Sequence, residues 1–312
     1  MDLPSDDALR SIVRAYARLR AAHGEAIGSP ALVQPTGAFF PDEFRGDAPG
    51  VARLLRRIMT YAPVADDLRL ELAFVAQEGE RSGAGCGSGA CGSGVGLRPG
   101  VGGLEEVEEI EGGYRVYVAA PVVAHADLLT AVLVRAVGAI VLSEGAGAPG
   151  VEGPAQAAEM AAVACGFGVL LANGAAVWAK SCGGLRVTSA TALTVEIAAA
   201  ALALFVAVHE TKESEARAHL RPTQREAFDL ALTWATSNPL LVEALRDRPA
   251  VLESGTFDVE PVRGLLGRWL HKRKLEREMR IAPIAAKPAR SAEQVRRLEE
   301  ARALVDEVLG VE

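Results

Sequence analysis

Charge is scarce in the middle of this chain of 312 residues. Between Val116 and Val208 there are only eight formal charges in 93 residues, about a third of the average density. Such a block must be a buried centre, and a catalytic reading needs polar groups there that are almost absent. Aromatic residues are also few, at 5%, so Ala and Gly do much of the filling. Small side chains let helices approach closely, which favours a helical core over a sheet sandwich. The four cysteines (Cys86, Cys91, Cys165, Cys182) are too few for a disulfide framework in a chain this long and suit a reducing compartment. There is no GxSxG, no GxxxxGK[ST] and no recognisable Ser or Cys triad among the five histidines.

What is present points to a folded protein. Half the residues are hydrophobic, enough to exclude global disorder. The net charge of −7 argues against nucleic acid as a partner of the whole surface. The acidic, amphipathic start MDLPSDDALRSIVRAY lacks a signal-peptide core, so a cytoplasmic location is expected. Met160 to Ala179 is uncharged over 20 residues, about a bilayer span. It is Ala-rich and carries Asn173 with several glycines, so a buried helix is expected rather than an integral membrane segment.

Periodicity predicts an amphipathic helix over 6–22 capped by Ser5, and an extended piece at 31–34. An ordered loop with Phe39 and Phe40 should follow, then a helix capped by Asp47 with Pro49 in its first turn. Leu68–Val75 alternates as a strand and should pair antiparallel with Tyr114–Ala119. Between them, about 78–113 reads as a Gly-rich flexible insertion. Three central helices are expected at 126–143, 154–171 and 190–208, followed by helices at 222–234, 239–245, 262–279 and 291–309. The expected fold is α+β and mainly α-helical, with a small antiparallel sheet. A core domain over 1–245 would carry a C-terminal helical extension over 246–312.

The order of these elements resembles an uncharacterised bacterial family of zincin-like, HExxH metallopeptidase-like proteins. The likeness rests on PTGAFFPDEF at 35–44, AEMAAVACGFGVLLAN at 158–173 and HLRPTQREAF at 219–228, and covers residues 5–235. It implies a zincin-like helical core in which a zinc helix falls at 126–143 and a third ligand acid at Glu159. Two histidines at i and i+4 would put both imidazoles on one helix face, with the intervening glutamate as base. At that place the chain reads Arg135-Ala136-Val137-Gly138-Ala139. An arginine cannot coordinate zinc, and alanine neither coordinates nor accepts a proton. The resemblance therefore implies a degenerate site of Arg135, Ala136, Ala139 and Glu159, with no catalytic residue, no metal and no cofactor. Arg135 and Glu159 would meet as a buried pair, because each needs a partner in a dry interior.

Other candidates carry less. Cys86 and Cys91, set among glycines, could hold a metal or act as thiols in a hydrolase, while Cys165 suits a buried structural thiol. HETKE at 209–213 begins like a zincin motif but reads as a solvated helix end. His125 reads as a surface residue, and His219 as positioning the helix that follows it. The basic run RWLHKRKLEREMR at 268–280, with Trp269, Lys272, Arg273 and Lys274, reads as a solvated cover or as a surface for anionic lipid, nucleic acid or an acidic partner. The last helix, with Leu298 and Val305 in its apolar stripe, needs a covering surface. The leading functional expectation is a scaffold or interaction module that contacts a protein partner through its C-terminal helices, or pairs as a homo-oligomer. The alternatives are a hydrolase using the Cys86/Cys91 loop and a peripheral membrane protein binding through 263–280.

Overall fold

The computed structural model describes residues 1–24, 27, 30–75, 106–146, 153–181, 184–254 and 256–262. Cys86, Cys91, Cys182 and the expected basic and terminal helices, with Trp269, Lys272, Arg273, Lys274, Leu298 and Val305, lie outside the described residues. The chain through Val262 is one compact unit, and the boundary expected at 245 falls inside one of its helices.

Local chemistry sets the first elements. Helix α1 (Asp6–His23) starts where the Ser5 hydroxyl accepts the Ala8 N–H, and it buries Leu9, Ile12, Val13, Tyr16 and Leu19. Helix α2 (Ala48–Met59) starts where Asp47 accepts the Gly50 N–H. The loop between them is tied down by Tyr61, whose ring packs edge-on to Phe39 at 5.5 Å and whose hydroxyl donates to the Phe39 carbonyl at 2.9 Å.

The sheet departs from expectation. Strands β1 (Arg69–Val75), β2 (Val107–Ile110) and β3 (Gly113–Ala119) lie in the order β1-β3-β2. β1 and β3 pair in parallel, not antiparallel. The antiparallel partner of β3 is β2, joined to it by a tight turn at Glu111-Gly112. The long connection after β1 permits this, because parallel neighbours need a crossover of about a dozen residues or more. The acidic run EEVEEI, placed by composition in the Gly-rich insertion, is thus largely strand from Val107 onward. A second hairpin, β4 (Val177–Ser181) with β5 (Gly184–Thr188), occupies a region read as the end of one helix and the approach to the next.

The helical core is built on α3 (Ala126–Val141), buried on nearly every side. It packs against α4 (Pro154–Ala162) and α5 (Gly168–Gly174), which are joined by a π-type turn at Val163–Phe167. Gly166 in that turn has φ +94°, and its carbonyl accepts the Val33 N–H at 3.0 Å. A β-carbon there would overlap the Ala31 carbonyl oxygen, so the extended piece at 31–33 docks on bare backbone. Helix α6 (Val195–Val208) is capped by Thr194 and starts five residues later than expected. Ser189 and Thr191 hydroxyls bond to nearby backbone instead of letting it coil, leaving 190–193 as a loop. Helices α7 (Glu213–Arg217), α8 (Pro222–Ser237), α9 (Pro239–Asp247) and α10 (Pro249–Ser254) complete the unit, with α8 on α6 and α10 on α1. The protein is therefore mainly helical with a small mixed sheet.

By length and composition Ala126–Gly145 and Pro154–Gly174 could each cross a bilayer, yet they are 67% and 89% buried inside the unit, as core helices are. Asn173, the polar break in the second, is fully used. It donates to the His219 carbonyl at 2.9 Å and accepts the Arg221 N–H at 3.0 Å, fixing the HLRP segment that leads into α8.

Candidate functional site

In a centre with so few charges, the polar residues that do occur are the place to look for chemistry. Arg135 sits mid-way along α3 with its side chain 3% exposed, and Glu159 on α4 is fully buried. The two meet because α3 and α4 cross at close range. Gly138, one turn beyond Arg135, lies against the Ala158 carbonyl, and a β-carbon there would overlap that oxygen.

The Arg135 guanidinium is enclosed by acceptors. Its Nη1 donates to Glu159 Oε1 at 3.1 Å and to the Ala190 carbonyl, while Nε and Nη2 form a two-pronged contact with the Glu106 carboxylate. Glu159 has no spare oxygen. Oε1 also accepts the Ala192 N–H and Oε2 the Leu193 N–H, both at 2.7 Å. Glu106 is only 14% exposed and reaches the cluster from the residue just before β2. The site thus joins four segments: the start of β2, α3, α4 and the loop at 190–193.

Its electrostatics follow from burial. Burial opposes the Arg135 charge, but the carboxylates of Glu106 and then Glu159 outweigh it and hold the cation more firmly than usual. Burial pushes the Glu159 carboxyl above its ordinary range, against the pull of Arg135 and the two backbone N–H donors.

Arg135 and Glu159 are therefore brought together. Ala136 is buried beside them and Ala139 is half-buried; neither offers a donor atom. This donor set does not fit a zinc ion, because a guanidinium cannot coordinate one and both Glu159 oxygens are engaged. Among the described residues no group of three or more His, Cys, Asp or Glu side chains is arranged to hold a metal.

Two parts of the site were missed by sequence reasoning. Glu106 was hidden inside the presumed insertion, although an acid-rich run ending a glycine tract was a signal. The donors at 190–193 were hidden by a helix drawn too early.

A second polar cluster corrects the reading of HETKE in part. Glu210, Lys212 and Glu213 are exposed past the end of α6, as expected. His209, at the helix terminus, is drawn inward. Its Nε2 lies 3.1 Å from the Tyr16 hydroxyl and 3.3 Å from Arg20 Nη1, and its ring packs 4.6 Å from Phe205. Burial, together with Arg20 and Arg246, holds its pKa down at about 4. Arg20 and Arg246 also cap carbonyls at the ends of α9 and α6. Nearby Cys165 is a buried thiol whose pKa burial pushes up to about 12, which makes it inert rather than nucleophilic. His125 is exposed, as its sequence context suggested.

The His209 pKa has a consequence for stability. A histidine depressed on folding adds stability above its unfolded value near 6.5, and loses it as pH falls toward about 4. With the ring only part-buried, the discounted loss is about 2 kcal/mol. Denaturant unfolding from pH 7 downward should show this decline in the native chain, and His209→Gln should flatten it.

Comparison with protein-family models, with curated proteins and with solved structures returns no match. The reading of the site therefore rests on its geometry and on the sequence resemblance alone.

Proposed function

We propose that this chain is a non-catalytic, degenerate metallopeptidase-like protein that acts as a scaffold or protein-interaction module. The observation that carries the reading is the Arg135 guanidinium, paired with Glu159 at 3.1 Å and with Glu106, at the place where the resembling family would hold a zinc ion. A fixed organic cation takes up the charge of the surviving acid. The same cation blocks any water that a metal would have activated. Both acids of this cluster are committed to ion pairs with Arg135. What remains is a rigid helical body with partner-contact surfaces, to which the C-terminal segment with Trp269, Lys272, Arg273, Lys274, Leu298 and Val305 is assigned.

Metal analysis of the purified full chain tests this reading. The expected result is no stoichiometric zinc and no change in Tm with a chelator. Stoichiometric zinc, lost in Cys86→Ser/Cys91→Ser, would overturn it in favour of a metal- or thiol-dependent enzyme.

A further inference from the structure

Strand β1 is at the end of its sheet. Its inner side pairs with β3, and among the described residues nothing pairs with its outer side. Parity decides which backbone groups are free. The Arg69 N–H donates to the Gly112 carbonyl at 3.1 Å, so Arg69, Glu71, Ala73 and Val75 turn their N–H and C=O groups toward β3. Leu70, Leu72 and Phe74 therefore present theirs outward.

The same residues line a groove. Leu70, Leu72 and Phe74 face Ala52 and Leu55 of α2 across a cleft of about 360 Å³. Phe74 is 39% exposed, a large apolar side chain left in water at the groove wall. An open strand edge beside an apolar cleft is the geometry of strand addition, in which main-chain bonds give affinity and alternate side chains enter pockets. It is also a liability that proteins normally blunt with charge or cover.

The charges at the rim select the occupant. Arg56 lines the groove, and Arg53 lies one turn earlier on α2; both are exposed and no described acid pairs with either. The neighbouring acid on the strand, Glu71, is already committed to Arg115 at 2.8 Å and to Arg69 at 2.5 Å. The two available charges at this rim are thus positive.

We propose that the outer edge of β1 and the α2 groove form a docking site for an extended, acidic peptide segment of a partner protein. The peptide adds as a fourth strand, its alternate apolar side chains entering the cleft and its carboxylates meeting Arg53 and Arg56. This proposal is independent of the reading of the Arg135 site.

The test uses the full chain and a fluorescein-labelled peptide alternating valine and glutamate, of roughly seven residues, an ordinary strand length. Its lysine counterpart serves as control. Saturable binding of the glutamate peptide is expected. Arg53→Glu/Arg56→Glu, which touches only surface charge, should weaken that binding at least tenfold and invert the preference toward the lysine peptide. Amide exchange should show new protection at Leu70, Leu72 and Phe74 and none added at Glu71 or Ala73. Absence of saturable binding, or equal binding by the charge-reversed variant, would overturn the proposal. So would protection of Leu70, Leu72 and Phe74 in the free chain, because the edge would then be filled by the chain itself or, if concentration-dependent, by a second copy.

Discussion

Replacing Arg135 by methionine is expected to destabilise the protein by about 3–5 kcal/mol, the cost of breaking a buried ion pair from one side. Methionine fills similar volume, so little of the loss is cavity. The loss comes from Glu159, which is fully buried and held in place by the Ala192 and Leu193 amides, so it cannot turn toward water. Glu106 is less trapped, since its side chain is 14% exposed. Without the guanidinium the Glu159 carboxyl rises further above its ordinary range, because burial then acts with one opponent fewer. A carboxyl raised on folding lends stability below its unfolded pKa and loses it as pH rises through the folded value. The deficit of Arg135→Met should therefore shrink toward pH 5 and grow toward pH 8, as read by urea unfolding across that range. A deficit independent of pH would mean that Glu159 is not the group left stranded.

The second large effect is expected at Gly138. Alanine in a helix interior is ordinarily better than glycine by about 1 kcal/mol. Here the added methyl would overlap the Ala158 carbonyl oxygen and press close to the Ala162 amide nitrogen, both backbone atoms of the facing helix. Neither can swing aside as a side chain would, so α4 must shift as a body. Overpacking costs about 1–3 kcal/mol and more when backbone has to move. The clash outweighs the propensity gain, and Gly138→Ala should lose about 2–3 kcal/mol on balance. Because Glu159 follows Ala158 directly, the same shift pulls its carboxylate from Arg135. Gly24→Ala is the contrasting case: no atom lies within 4 Å of its would-be β-carbon, and its cost of about 1–3 kcal/mol is strain in a backbone at φ +46° and ψ −116°, a region open mainly to glycine. Denaturant unfolding reads both losses; only that of Gly138→Ala should fail to add to the loss in Arg135→Met.

Local signals were the legible part of this fold. Ser5, Asp47 and the Pro49 and Pro222 positions mark helix starts through short-range hydrogen bonding and fixed φ, so sequence alone locates them. The charge-poor centre was legible as a core because apolar helices without a polar face must be enclosed. The Arg135–Glu159 contact was expected only through the family resemblance, which set the two residues together in a dry interior where each needs a partner.

Long-range geometry was not legible in the same way. Strand alternation marks β1 and β3 but says nothing of direction, and the parallel pairing depends on where β2 inserts. Glu106 was obscured because composition over a glycine tract averages away the strand that ends it. His209 looked like a solvated helix end, since its partners Tyr16 and Arg20 are nearly 200 positions away. The loop at 190–193 was absorbed into a helix by its alanines, although Ser189 and Thr191 were the residues to weigh against it.

Arg135 and Glu159 should depend on each other as a fixed, buried ion pair. A double-mutant cycle of Arg135→Met and Glu159→Gln, followed by urea unfolding at neutral pH, measures that dependence. The double variant removes the stranded Glu159 charge and leaves only Glu106, which is 14% exposed, without its cation, so it should recover part of what Arg135→Met loses, with a coupling of about 2 kcal/mol or more. Losses that simply add, within about 0.5 kcal/mol, would contradict the account.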